Sequence, residues 1–192
     1  MAQNIILASA SPRRRELLSL IIDDFRVLVS EFDESSLPAD LAPEDHVVRA
    51  ACSKARQISW QNRDSLVIGA DTIVVVDDEI LGKPVDETDA ARMLRLLSGR
   101  SHEVYSGICI ISEEMERQAA ERTEVVFRDL SDEMILRYIA TGEPKDKAGA
   151  YGIQGKGAVL VKCISGCYSN VVGLPLYKLS VLLKDSGIEP LC

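Results

Sequence analysis

Ser9-Ala10-Ser11-Pro12-Arg13-Arg14-Arg15 places two hydroxyls and three guanidiniums between a short apolar run and the start of a helix. A strand-to-helix turn presents unpaired backbone N–H groups and the positive end of a helix dipole, and so can take an anion. Arginine suits phosphate because its planar fork makes two parallel hydrogen bonds. The plain alternative is a capped helix with a solvated basic turn. Cations in a first helical turn oppose the dipole, however, at a cost of about a few tenths of a kcal/mol, and this favours an anion site. A second anomaly is Gly69-Ala70-Asp71-Thr72, set between Leu66-Val67-Ile68 and Ile73-Val74-Val75-Val76. A carboxylate inside a buried strand costs several kcal/mol unless it is paired, metal-bound or hydrogen-bonded. It can alternatively cap a neighbouring helix from the strand end. The third is Lys54, which shares a helical stripe with Val47, Ala51 and Ile58. It either snorkels to water or turns inward to meet a phosphate or an acidic cluster.

Three loops add donors beside glycine or proline: Leu81-Gly82-Lys83-Pro84, Asp146 to Gly155 with Lys147 and Gln154, and Ser169 to Pro175 with Asn170. His46 and His102 have no Ser or Cys partner nearby in sequence, which argues against a nucleophilic triad. A Walker-type loop and a GxGxxG turn after the first strand are both absent. Cationic and hydroxyl groups, the carboxylates Glu31, Asp33, Glu34 and Asp71, and glycine loops with an amide suggest a phosphorylated, base-bearing ligand. Carboxylates beside phosphate call for a divalent cation, Mg²⁺ or Mn²⁺. Metal-assisted phosphoanhydride hydrolysis is the leading chemical class.

The elements that must hold these groups alternate between strand and helix patterns. Strands are expected at Asn4–Ala8, Phe25–Ser30, Leu66–Val76, around Ile80 and Leu81, His102–Ile111, Arg117–Arg128 and Ala158–Ile164. Helices are expected from Ser11-Pro12 to Leu20, Pro43 to Gln61, Glu87 to Leu97, Ser131 to Thr141-Gly142 and Pro175 to Leu183. Glu31–Ala42 reads as a polar loop and Gly149–Gly157 as irregular chain. The expected fold is α/β, with a mixed, largely buried β-sheet flanked by helices.

The chain has 192 residues and a net charge of −8. That charge opposes binding to nucleic acid or an anionic membrane. There is no apolar run of transmembrane length and no signal-peptide pattern at Met1–Leu7, so a cytoplasmic location is expected. Cys52, Cys109, Cys163, Cys167 and Cys192 are odd in number and scattered, as reduced thiols would be. The Cys163/Cys167 pair lacks the further ligands of a zinc site and reads as ordinary strand and turn residues.

Six segments in order resemble the Maf family of nucleoside triphosphate pyrophosphatases: Ala8 to Arg14, Gly69-Ala70-Asp71-Thr72, Gly82-Lys83-Pro84, Leu97 to Arg100 with His102-Glu103-Val104, Asp146 to Gly155, and Asn170 to Pro175. Tyr151-Gly152-Ile153-Gln154-Gly155 looks like the dTTP/UTP pyrophosphatase branch, not the 7-methyl-GTP branch. The resemblance implies a single Maf-like domain over residues 1–192, elongated, with two lobes around a cleft and similar to inosine triphosphate pyrophosphatases. It implies hydrolysis of dTTP and UTP, and of modified pyrimidine nucleotides, to the monophosphate and pyrophosphate. Asp71 would accept the proton of water attacking the α-phosphorus. Ser9, Ser11, Arg13, Arg14, Lys54, Thr72, Lys83, Lys147 and Gln154 would bind substrate, with Arg13, Thr72 and Gln154 at positions tied to substrate choice. Glu34 and Asp71 would place the metal. A homodimer with no nucleic-acid or membrane partner is implied. The alternative is a nucleotide-binding regulator of cell division or septum formation without significant turnover.

Overall fold

The computed structural model describes residues 4–190. Strand β1 (Asn4–Ala8) buries Ile5, Ile6, Leu7 and Ala8, as an apolar run without a polar face requires. Helix α1 (Pro12–Leu18) opens with Ser11 at the N-cap, its hydroxyl accepting from the Arg14 N–H, and with Pro12 in the first turn. Strand β2 (Arg26–Val27) pairs parallel with β1 and is shorter than the expected 25–30 stretch. It is an edge strand, and Val29 beyond it is exposed. The polar loop that follows contains a single 3-10 turn, Glu34–Ser36, capped by Asp33.

Helix α2 (Pro43–Ser59) begins with proline and carries Glu44 and Asp45 in its first turn, where the dipole favours them. Strand β3 (Ser65–Val76) is buried on both faces and runs parallel to β1, from Asn4 opposite Ser65 to Ala8 opposite Gly69. Asp77 and Asp78, with φ of 49° and 65°, turn the chain into β4 (Glu79–Leu81), antiparallel to β3. Helix α3 (Glu87–Leu97) is capped by Asp86. Strands β5 (Ser101–Ile111) and β6 (Glu116–Phe127) follow, then helix α4 (Asp132–Ile139), capped by Ser131. Strand β7 (Val161–Ser165) is antiparallel to β6. Helices α5 (Tyr168–Val172) and α6 (Leu176–Lys184) end the described chain. The seven strands form one mixed sheet in the order β2-β1-β3-β5-β6-β7, with β4 on β3.

Two compact units can be distinguished. The first comprises residues 4–71, Ser106–Glu121 and 173–190. Ile6, Ala8, Ala51, Cys52, Ala55, Val67, Cys109 and Ile111 cluster within it. The second comprises Thr72–Tyr105 and Arg122–Val172, with a core that includes Val74, Leu94, Leu97, Phe127, Ile135 and Tyr151.

Two local expectations need correction. Gly155–Leu160 is a 3-10 segment and the strand begins only at Val161, because Glu143 accepts from the N–H groups of Lys156 and Gly157 and holds that chain in a turn. The short α5 carries no periodic signal of its own. Its Asn170 faces inward, donating to Val104 O at 3.0 Å and Thr123 Oγ1 at 2.9 Å.

Candidate functional site

Two glycines bring α2 down onto the sheet in the first unit. A Cβ on Gly69 would lie 2.1 Å from the Ala51 carbonyl oxygen, and one on Gly107 would lie 2.3 Å from the backbone of Val47. Asp71 follows Gly69 by two residues and therefore projects from the same strand face. Lys54 follows Ala51 by about one helical turn and shares its helix face. The close packing of Gly69 on Ala51 thus sets the lysine over the carboxylate. Lys54 Nζ donates to Asp71 Oδ1 at 2.7 Å and to Glu34 Oε1 at 2.5 Å. Of the two readings of Lys54, the inward one is observed.

Asp71 is only 4% exposed. Burial pushes its carboxyl up, but the charges of Lys54 and Arg14, the Lys54 hydrogen bond and His46 together hold it below its ordinary value. Its Oδ2 is buried and makes no hydrogen bond among the described residues. An anionic oxygen in that condition fits a hard cation or a water molecule, and Glu34 supplies a second, half-exposed carboxylate on the same lysine. In this loop the Asp33 carboxylate accepts from the Ser35 N–H at 2.9 Å, whereas that of Glu34 accepts from Lys54.

Arg14 reaches this cluster from α1. Its Nε donates to Gly173 O and its Nη1 to Ala70 O, both at 2.8 Å, and Nη1 also meets Ser9 Oγ at 3.3 Å. Burial lowers the Arg14 pKa, while Asp71 and Glu34 raise it and Arg13 lowers it. Ser9 is buried and accepts from the Ser11 N–H at 3.2 Å, and Ser11 caps α1. Ser9, Ser11, Arg13, Arg14, Glu34, Lys54 and Asp71 all lie in the first unit. His46, whose charge acts on Asp71, has no sequence signal beyond its place on the helix of Lys54.

The second unit holds the rest. Thr72 follows Asp71 on β3 and is half-buried. Lys83 is exposed after β4. Lys147 Nζ donates to Glu143 O at 2.5 Å and Asp146 Oδ1 at 2.6 Å. Gly149 N–H donates to Gly82 O at 3.0 Å, tying two of the glycine loops together. Gly149, at φ 67°, packs against Val74. Tyr138 Oη accepts from the Gly152 N–H, and Tyr151 Oη lies 2.7 Å from His102 Nε2. Gln154 stands half-buried before Gly155, and its side chain makes no cap hydrogen bond there.

A dTTP/UTP pyrophosphatase from Clostridium botulinum (strain Kyoto / Type A2) is 50% identical over 192 residues, covering 97% of this chain and 99% of the relative. Another, from the Eklund 17B / Type B strain, is 49% identical over 185 residues, 95% of this chain and 98% of the relative. The Ham1 protein of Staphylococcus aureus shares the fold at a TM-score of 0.51 and 15% identity, over 83% of this chain and 80% of that one. The family described as Maf-like protein matches residues 4–186, and the chain belongs to it.

Proposed function

We propose that the protein hydrolyses dTTP and UTP to the nucleoside monophosphate and pyrophosphate, with Asp71 holding the attacking water. The observation that carries this reading is a buried carboxylate with one oxygen on Lys54 and the other without a hydrogen bond. The names of the half-identical relatives support it. They favour turnover over the regulator of cell division, which would need a grip on phosphate but no acid beside it.

In this reading Asp71 Oδ2 accepts a hydrogen bond from water and takes its proton as oxygen bonds to the α-phosphorus. The bond that breaks is the α–β bridge, and pyrophosphate leaves. A carboxylate held low by Lys54 is a weak base. A bound phosphate that draws Lys54 Nζ from Oδ1 removes that restraint and raises the basicity of Asp71 once substrate is present. Ser9, Ser11, Arg13, Arg14, Thr72, Lys83 and Lys147 are assigned to the triphosphate. Gln154 offers an amide donor and acceptor to a pyrimidine edge. Asp71 and Glu34 would hold Mg²⁺ or Mn²⁺, which when bound would polarise the phosphoryl oxygens. The working form in this reading is a cytoplasmic homodimer with no nucleic-acid or membrane partner.

The test is pyrophosphate release from dTTP, UTP, CTP, ATP and GTP, each with and without added Mg²⁺ or Mn²⁺. Metal-dependent release from dTTP and UTP above the others is expected. Release from no triphosphate refutes the activity, and equal turnover of GTP and UTP refutes pyrimidine selection.

A further inference from the structure

The cysteines scattered in sequence do not all stay apart in the fold. Cys52 on α2, Cys109 on β5 and Glu116 at the start of β6 bring their ligand atoms within 4.8 Å of one another. We propose that Cys52, Cys109 and Glu116 form a second metal site, distinct from Asp71 and Glu34, that takes a soft or borderline divalent ion of the Zn²⁺ class.

Four features support the site. Its three donors come from three elements whose packing is already fixed, since Gly107 on β5 lies against the backbone of Val47 on α2. Metal–ligand bonds of about 2.0–2.3 Å allow one ion to bridge donors so spaced with small side-chain adjustment. Gln118, two residues beyond Glu116 on β6, places Oε1 3.0 Å from Cys52 Sγ and supplies a further oxygen on the same strand face. Arg56, one turn after Cys52 on α2, holds Glu116 through Nε at 3.1 Å and Nη2 at 2.5 Å. That guanidinium orients the carboxylate as outer partners do in metal sites. It also closes the charge: two thiolates and a carboxylate offset one divalent ion and one arginine.

Cys52 and Cys109 are 2% and 0% exposed. Without metal the contact with Cys52 and burial push the Cys109 thiol up. Binding forms two sulfur–metal bonds, sends both thiol protons to solvent and changes no oxidation state. Donor chemistry separates the two sites. Thiolates select Zn²⁺, Cd²⁺ or Co²⁺, whereas the oxygens of Asp71 and Glu34 suit Mg²⁺ or Mn²⁺. Cys52 precedes Lys54 by two residues, so an ion here ties to β5 and β6 the helix that carries the lysine.

The probe is Co²⁺ and Cd²⁺ titrated into the full chain, read as thiolate-to-metal charge-transfer absorption. One equivalent is expected to give the band in the presence of excess Mg²⁺. Cys52→Ser and Cys109→Ser abolish it, Arg56→Gln weakens binding about 10–100-fold, and Cys163→Ser leaves it intact. X-ray absorption of the Zn²⁺-loaded wild-type protein, which requires no variant to fold, is expected to show two sulfur ligands and oxygen donors. A band that survives Cys109→Ser, a band lost in Cys163→Ser, or a zinc shell with fewer than two sulfurs overturns the proposal. None of these readouts depends on nucleotide hydrolysis.

Discussion

Lys54 joins two carboxylates in the first unit, the buried one of Asp71 and the half-exposed one of Glu34. Asp71 has a folded-state pKa below its unfolded value, so its ionisation stabilises the protein above the unfolded pKa, and that contribution is lost as pH falls through the folded one. Lys54→Met reverses the sign. It removes the largest favourable charge from a carboxylate that burial already pushes up, so the acid limb of the kcat/KM profile moves to higher pH. Stability at neutral pH falls by about 3–5 kcal/mol, as when one member of a buried pair is lost, and part of it returns on acidification as Asp71 protonates. Asp71→Asn behaves differently. Lys54 keeps Glu34, so the melting temperature changes little while kcat drops by about 10²–10⁴-fold. Calorimetric melts and pH–rate profiles check both variants. Asp71 was legible in sequence because a carboxylate in an apolar run has few bland explanations. The direction of Lys54 was not, since a lysine on an apolar stripe can face water or the core equally well. Glu34 is told from Glu31 and Asp33 by its contact with Lys54, a product of the fold that no sequence pattern signals.

At the scale of elements, the contact between α2 and β3 places the lysine, and Gly69 makes that contact possible. Gly69→Ala puts a methyl against the Ala51 carbonyl, a backbone atom that cannot swing aside. The expected cost is about 1–3 kcal/mol, with Lys54 displaced from Asp71 and turnover lost. Gly82→Ala meets nothing within 4 Å and leaves the stability within about 0.5 kcal/mol of wild type. Thermal melts of the two variants side by side check this. The long buried strands and the capped helices were legible because Ser11-Pro12, Ser131 and the β-branched run of β3 each carry a local signal. The late start of β7 and the existence of α5 were not. They depend on Glu143, Val104 and Thr123, which lie far from those segments in sequence.

For the molecule as a whole, the net charge of −8 says little about a small phosphorylated ligand, whose binding is decided within a few ångströms. Whole-chain stability also has a pH signature, set by His102 in the second unit. Burial lowers its pKa from 6.5 to about 4, among Phe127 and Tyr151 in edge-to-face contacts. The unfolded chain therefore binds the proton more readily, and this group's contribution is fully present above about pH 6.5 and lost as pH falls toward 4. The loss is on the order of 3 kcal/mol. Urea melts from pH 7 to pH 4 should show that slope in the wild type and a shallower one in His102→Gln. Sequence placed His102 in a motif, but its burial beside Tyr151 is a product of the tertiary fold. In the proposed reaction water attacks the α-phosphorus of a pyrimidine triphosphate with Asp71 as its acceptor. Hydrolysis of UTP in heavy-oxygen water with Mg²⁺, followed by mass spectrometry of the products, tests it directly. Labelled UMP and unlabelled pyrophosphate are expected, with the reaction lost in Asp71→Asn. Labelled pyrophosphate, UDP with inorganic phosphate, or undiminished turnover by the variant would contradict it.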